Sequence, residues 1–224
     1  MCHLEEEAAS DRFSGVVFVA KQGKPIFAQA YGMADREHKS ANTLQTCFSL
    51  ASVNKMFTAV ALMQQVQAGK VALDDPLGKY LTDYPNKDLA AKVTIGELLT
   101  NTAGTGDIWG PEFDKHRLEL HTVQDYIHLY GNRALRFEPG SRWEYSNYGF
   151  VLIGAVIEKV SGESYGDYVR EHVFEPAGMT ATGTGMEDQA TPNQAVDYTK
   201  MGATHWIRNT DAPTSAAPPG QWRS

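Results

Sequence analysis

The sequence predicts an α+β chain in which a small antiparallel sheet is joined to a large helical lobe. Three observations carry this reading. Two β-rich runs flank a Gly-bearing turn near the N-terminus. A succession of helical patterns, most of them ended by Gly or Pro, fills the middle. Beyond about Gly183 the periodicity decays, so the sheet reads as incomplete, because two strands alone are marginal.

Ser14 to Ala20 and Pro25 to Tyr31 are the β-rich runs, and Lys21-Gln22-Gly23-Lys24 between them predicts an antiparallel hairpin. A helix is expected from about Ser52 to Ala68. Phe57, Val60, Ala61, Gln64 and Ala68 recur at helical spacing, Met56, Ala59 and Met63 widen the apolar face, and Gly69 is the stop. A short helix is expected near Pro76. Val93 to Leu99 reads as another, with Thr94 as its N-cap and Glu97 three residues on. Gly104 to Pro111 reads as loop, and Val123 to Tyr130 as helix. Tyr148 to Val160 is apolar all round, the mark of a buried helix, and Ser161-Gly162 ends it. Tyr165 to Phe174 is a further helix, stopped by Pro176. The expected organisation is 12–70 for the hairpin and first long helix, 71–183 for the helical lobe, and 184–224 as an irregular tail. Residues 209–224, rich in Ala, Pro, Thr and Ser, lack the apolar content to bury a core.

Hydrophobic residues make up 42% and charged residues 21% of the 224, as in ordinary globular chains, which excludes wholesale disorder. A net charge of -7 gives no electrostatic reason to expect nucleic acid or an anionic membrane as partner. The apolar stretches stop short of a membrane span. Cys2 and Cys47 form no zinc-knuckle or disulfide pattern and read as two free thiols. The acidic N-terminus has no apolar export signal, so either the protein stays in the cytoplasm or a leader has been removed.

Ser52-Val53-Asn54-Lys55 is the one Ser-x-x-Lys in the chain. Residues three apart on a helix share a face, which brings an amine within reach of a hydroxyl. A serine hydroxyl attacks a carbonyl well only when a neighbouring base removes its proton. At the start of a helix, backbone N–H groups also point toward a developing oxyanion. A surface serine and lysine on an ordinary helix is the competing reading; the position after a hairpin, at the head of an apolar helix, favours the chemical one. Tyr-x-Asn supplies a second proton carrier and an amide, and it occurs three times, as Tyr84-Pro85-Asn86, Tyr130-Gly131-Asn132 and Tyr145-Ser146-Asn147. Spacing does not choose among them. Tyr84 sits at a proline turn and Tyr130 at a helix end, where Asn is common for local reasons. Tyr145 and Asn147 lie between the Pro139-Gly140 turn and the most apolar helix, a good place to hold catalytic groups, though a structural role for them remains open at this level.

Gly162-Glu163-Ser164-Tyr165-Gly166 matches the Gly-x-Ser-x-Gly elbow, but a helix precedes it where a strand is required, so it reads as a helix–helix turn. His116, His121 and His128 are spread through a polar stretch without ligand spacing; no metal site is expected. Trp109, Trp143 and Tyr148 could line a cleft, but core or rim packing is the commoner fate of such rings.

Four ordered blocks resemble a known family: Phe48 to Lys55, Leu73 to Pro76, Ile95 to Gly104 and Pro139 to Tyr148. They look like the serine β-lactamase-like family, which includes class C β-lactamases, D-alanyl-D-alanine carboxypeptidases and β-lactamase-like carboxylesterases. The resemblance spans about Ser14 to Gly183. It implies a β-lactamase/transpeptidase-like fold, with the helical lobe inserted after the nucleophile helix and the active site between lobes. It implies that Ser52 attacks an ester, β-lactam or peptide amide and forms an acyl-enzyme. Lys55 and Tyr145 would share the proton transfers, and Asn147 would bind the substrate's amide or position Lys55. Water would release the acyl group, and no cofactor would be needed. The family's third motif, Lys-Thr-Gly or a His-x-Gly or Trp-x-Gly variant, is not found after Gly183. The resemblance therefore also implies a truncated or frameshifted product, and an inactive fragment that binds a ligand or partner without turnover is the alternative reading.

Overall fold

The computed structural model describes residues 3–183, 193–202 and 205–208. It has the α+β composition expected from the sequence, and it divides into two compact units. One comprises the chain up to Ser49 with a later segment that includes residues 193–202 and 205–208; the other begins at Leu50.

In the first unit a short helix α1 (His3–Ala9) precedes the predicted hairpin, β1 (Gly15–Lys21) and β2 (Lys24–Tyr31), paired from Gly15–Tyr31 to Lys21–Lys24. Gln22 and Gly23 both take positive φ, +50° and +74°. Two such residues make the tight turn whose twist matches that of the strands it joins. β3 (Met33–Asp35) pairs with β4 (Ser40–Ala41), and the Asn42 amide donates to Tyr31 O (2.8 Å) and Ser14 Oγ (2.9 Å), tying this ribbon to the first. Within the segment expected to be irregular, β5 (Tyr198–Met201) and β6 (His205–Arg208) form a third antiparallel ribbon. Their side chains alternate too weakly in polarity to announce strands; what holds the ribbon is tertiary, with Tyr198 donating to Asp35 Oδ1 (3.0 Å) and Trp206 lying 4.0 Å from the Arg36 guanidinium. The family motif sought in 184–192 and 209–224 falls outside the described residues. Cys47 is a free thiol.

The second unit is helical. A 3-10 turn, Ala51–Asn54, leads into α2 (Lys55–Gln67), and a 3-10 turn at Leu77–Lys79 stands near Pro76 as expected. α3 (Lys87–Lys92), α4 (Ile95–Leu99), α5 (Pro111–His116), α6 (Val123–Tyr130) and α7 (Asn147–Ser161) follow. α8 (Tyr165–Val169) runs on into a π-turn, Arg170–Phe174. α7 is the axis: every residue from Tyr148 to Ile157 is buried, against α2, α4, α6 and α8. Burying each large aliphatic side chain there stabilises the unit by roughly 1.5–3 kcal/mol.

α2 corrects one expectation. Its buried stripe is Phe57, Thr58, Ala61, Leu62 and Gln65, whereas Met56, Val60 and Met63 are about half exposed. The helix is apolar on nearly every side, so spacing alone could not choose the face. α3 and α5, each of six residues and too short to show a period, were not legible in the sequence.

Candidate active site

Ser52 lies in the 3-10 turn that opens α2, and Lys55 is the first residue of α2 itself. In a 3-10 turn side chains three apart eclipse, so both leave the backbone on one side. Ala51, just before, holds φ at +44°, a left-handed conformation that costs a non-glycine residue about 1 kcal/mol or more. α2 is fixed from below by Thr58 Oγ1 against Tyr165 OH (2.6 Å) and by Phe57 edge-on to Phe174 (5.0 Å). Ser52 is exposed and Lys55 half-buried.

Tyr145 and Asn147 flank Ser146, the N-cap of α7. Ser146 is buried; its Oγ accepts the Gly149 N–H (2.9 Å), donates to Gly106 O (2.5 Å) and lies 3.1 Å from Thr105 Oγ1. The loop after α4 clasps this arm. Thr94 and Glu97 form the reciprocal cap that starts α4, as predicted. Asn101, at φ +58°, accepts the Ser146 N–H on Oδ1 (3.0 Å) and the Glu144 N–H on its carbonyl (2.9 Å). Gly104 has φ +73°, and a Cβ there would sit 2.6 Å from Phe137 O, so only glycine lets the two loops run this close. At the end of the loop Asp107 Oδ1 accepts the Asn147 N–H (2.8 Å) and the carboxylate receives Asn147 Nδ2 at 3.0 and 3.2 Å.

These two pieces, some ninety residues apart in sequence, converge. Ser52 Oγ is 2.6 Å from Tyr145 OH. Lys55 Nζ donates to Asn147 Oδ1 at 2.6 Å and stands 4.8 Å from the centre of the Tyr145 ring. All four residues singled out in the sequence thus meet in one place. The hydrogen bonds differ from a direct Ser52–Lys55 contact: the serine meets the phenol, and the amine meets the amide. A hydroxyl bonded to a phenol, with an amine beside the phenol ring, is a set of groups that can attack a carbonyl and pass the proton on.

The two other Tyr-x-Asn motifs are structural. Tyr84 OH meets Tyr148 OH at 3.0 Å, and Tyr130 OH donates to Ile108 O at 3.0 Å; all three rings are buried. Burial pushes the Tyr84 phenol up to about 12 and Tyr148 well above its ordinary value, so both stay neutral. Asn86 caps α3. Gly162 ends α7 at φ +80° and Ser164 caps α8, so the elbow-like motif is the expected turn. Tyr148 belongs to the core, while Trp109 and Trp143 are exposed. Glu163, Glu171 and His172 lie close enough together to share a cation, but on the surface, with His172 Nε2 already 3.2 Å from Glu163 and Arg170 bonded to Glu171. Asn101 and Asp107 escaped the sequence reading. Both lie on a stretch legible only as helix end and loop, and no local pattern tells a loop carboxylate that clasps a distant amide from one that faces water.

A family model described as Beta-lactamase matches residues 3–224. Penicillin-binding protein 4* of Bacillus subtilis is 34% identical over 176 residues, 76% of this chain and 38% of that protein. Esterase EstB of Burkholderia gladioli is 32% identical over 182 residues, 75% of this chain and 46% of that protein. The chain thus spans under half the length of these relatives. Among solved structures, a penicillin binding protein from Bacillus halodurans superposes with a TM-score of 0.84 at 32% identity, covering 100% of this chain and 69% of that one.

Proposed function

The chain belongs to the Beta-lactamase family of serine hydrolases, and on that premise we propose that it forms an acyl-enzyme on Ser52 and hydrolyses an ester or a β-lactam or peptide amide. The observation that carries the reading is the 2.6 Å contact between Ser52 Oγ and Tyr145 OH, with Lys55 beside the same ring. Ser52 Oγ attacks the carbonyl carbon and a C–O bond forms. Its proton passes to the Tyr145–Lys55 pair. The tetrahedral intermediate collapses, the bond to the amine or alcohol breaks, and the leaving group takes that proton. Water then attacks the acyl-serine, the acid departs, and Ser52 regains its hydrogen. Asn147 holds Lys55 through its amide oxygen and has the chemistry to bind a substrate amide. The similarity to both a penicillin-binding protein and an esterase supports these acyl donors as a class.

Intact-mass spectrometry after mixing with a penicillin, and separately with a p-nitrophenyl ester, tests this. The expected result is an adduct of one acyl group that is absent in Ser52→Ala and does not form in a folded Lys55→Ala variant. Folded protein that acquires no adduct from either reagent sinks the proposal and favours a fragment that binds without turnover.

A further inference from the structure

Among the described residues Asp107 is the one carboxylate bonded to this cluster, and its place is built. Its Oδ1 accepts N–H groups from Ile108 (2.8 Å), from the Asn147 backbone (2.8 Å) and from the Asn147 side chain (3.0 Å), while Oδ2 receives the same side-chain nitrogen at 3.2 Å. Its carbonyl takes a hydrogen bond from Arg133 Nη1 (2.8 Å), whose guanidinium lies 3.9 Å from the buried Tyr130 ring. A primary amide has two ends of nearly equal shape, one accepting and one donating. Both Asp107 oxygens accept here, and the Lys55 amine donates. With Asp107 on one side of Asn147 and Lys55 on the other, only one orientation satisfies both: NH2 toward Asp107, oxygen toward Lys55. The reverse would set the amide oxygen against the carboxylate and take the acceptor away from the Lys55 amine.

We infer that Asp107 is a positioning residue, which locks the Asn147 amide so that its oxygen holds the Lys55 amine beside Tyr145 and Ser52. The inference rests on the acyl-enzyme reading for its consequence, though the geometry it describes does not. Asp107 acts through Asn147. Removing it lets the amide turn, and the amine loses a fixed acceptor.

The test is a double-mutant cycle read by acyl-adduct formation on Ser52 with a p-nitrophenyl ester. Asp107→Ala is expected to slow acylation on the order of tenfold or more, the worth of a charge-assisted hydrogen bond. In the Asn147→Ala background the same change should have less than about a twofold effect, because coupled residues are not additive. Equal losses in both backgrounds, or none in the first, overturn the inference. Asp107→Asn, which keeps one acceptor and adds a donor, serves where alanine unfolds the loop and should be impaired in the same way. A second readout needs no turnover: the side-chain NH2 protons of Asn147 in 15N–1H spectra should exchange with solvent at least several-fold faster in either Asp107 variant. If wild type forms no adduct, the acyl-enzyme reading fails, and this exchange rate alone decides the positioning role; an unchanged rate ends it.

Discussion

Replacing Ser146 with alanine should cost far more stability than replacing Ser164, although both are serine N-caps. Each accepts the N–H three residues on, from Gly149 at 2.9 Å and from Asp167 at 3.1 Å, and losing a cap of this kind costs about 1 kcal/mol. Ser164 is exposed, and its hydroxyl hydrogen goes to Asp167 Oδ2, which water can replace. Ser146 is 5% exposed and gives its hydrogen to the carbonyl of buried Gly106. Alanine leaves that carbonyl without its donor, which adds about 1–2 kcal/mol. The expected total is about 2–3 kcal/mol for Ser146→Ala against about 1 kcal/mol or less for Ser164→Ala. At this chain length that is a drop of roughly 5–10 °C in Tm for the first and roughly 2–4 °C for the second. Urea denaturation followed by circular dichroism at the helical band measures both. Losses equal to within about 0.5 kcal/mol would refute the claim that the arm carrying Tyr145 and Asn147 is pinned through Ser146 to the Gly106 carbonyl.

Three further expectations follow from the same geometry. Tyr145→Phe removes only the hydroxyl on Ser52 and should lower the acylation rate on the order of a hundredfold or more with the fold intact, a loss that stopped-flow measurement with a chromogenic ester would detect; an unchanged rate removes Tyr145 from the proton path. Leu62→Ala, at a fully buried position, should cost about 3 kcal/mol, while Met63→Ala on the neighbouring half-exposed face should cost under about 1 kcal/mol, and comparable losses in urea would mean the face of α2 is misassigned. Burial raises the Glu158 carboxyl above its ordinary value while its Oε1 caps α8 through the Tyr165 N–H (2.9 Å). A raised acid binds its proton more tightly when folded, so its favourable contribution is full below pH 4.5 and is lost as pH rises through the folded-state value. Glu158→Gln, which keeps the accepting oxygen, should therefore gain stability relative to wild type between pH 4 and pH 7 in matched urea titrations; a flat or falling difference contradicts the burial argument.

Helix α7, the Thr94–Glu97 cap and the turn at Gln22-Gly23 were all legible because each is written within one turn or one period of the chain. Ser52 and Lys55 were legible for the same reason, three residues apart at a helix start. Tyr145 and Asn147 were named, but their motif recurs at Tyr84 and Tyr130, and what separates the three is burial: two phenols are sealed in the core and one meets a serine. The sequence by itself thus determined which residues are candidates for the chemistry and which of the longer segments form helices, since those follow from local pattern and side-chain type. Only the tertiary structure decided which face of the all-apolar α2 is buried, that Tyr198–Met201 and His205–Arg208 pair as a ribbon, and that Asp107 turns the Asn147 amide toward Lys55. Each of those depends on a partner supplied from a distant part of the chain, and a hydrogen bond or a packed face has no local signature until that partner arrives.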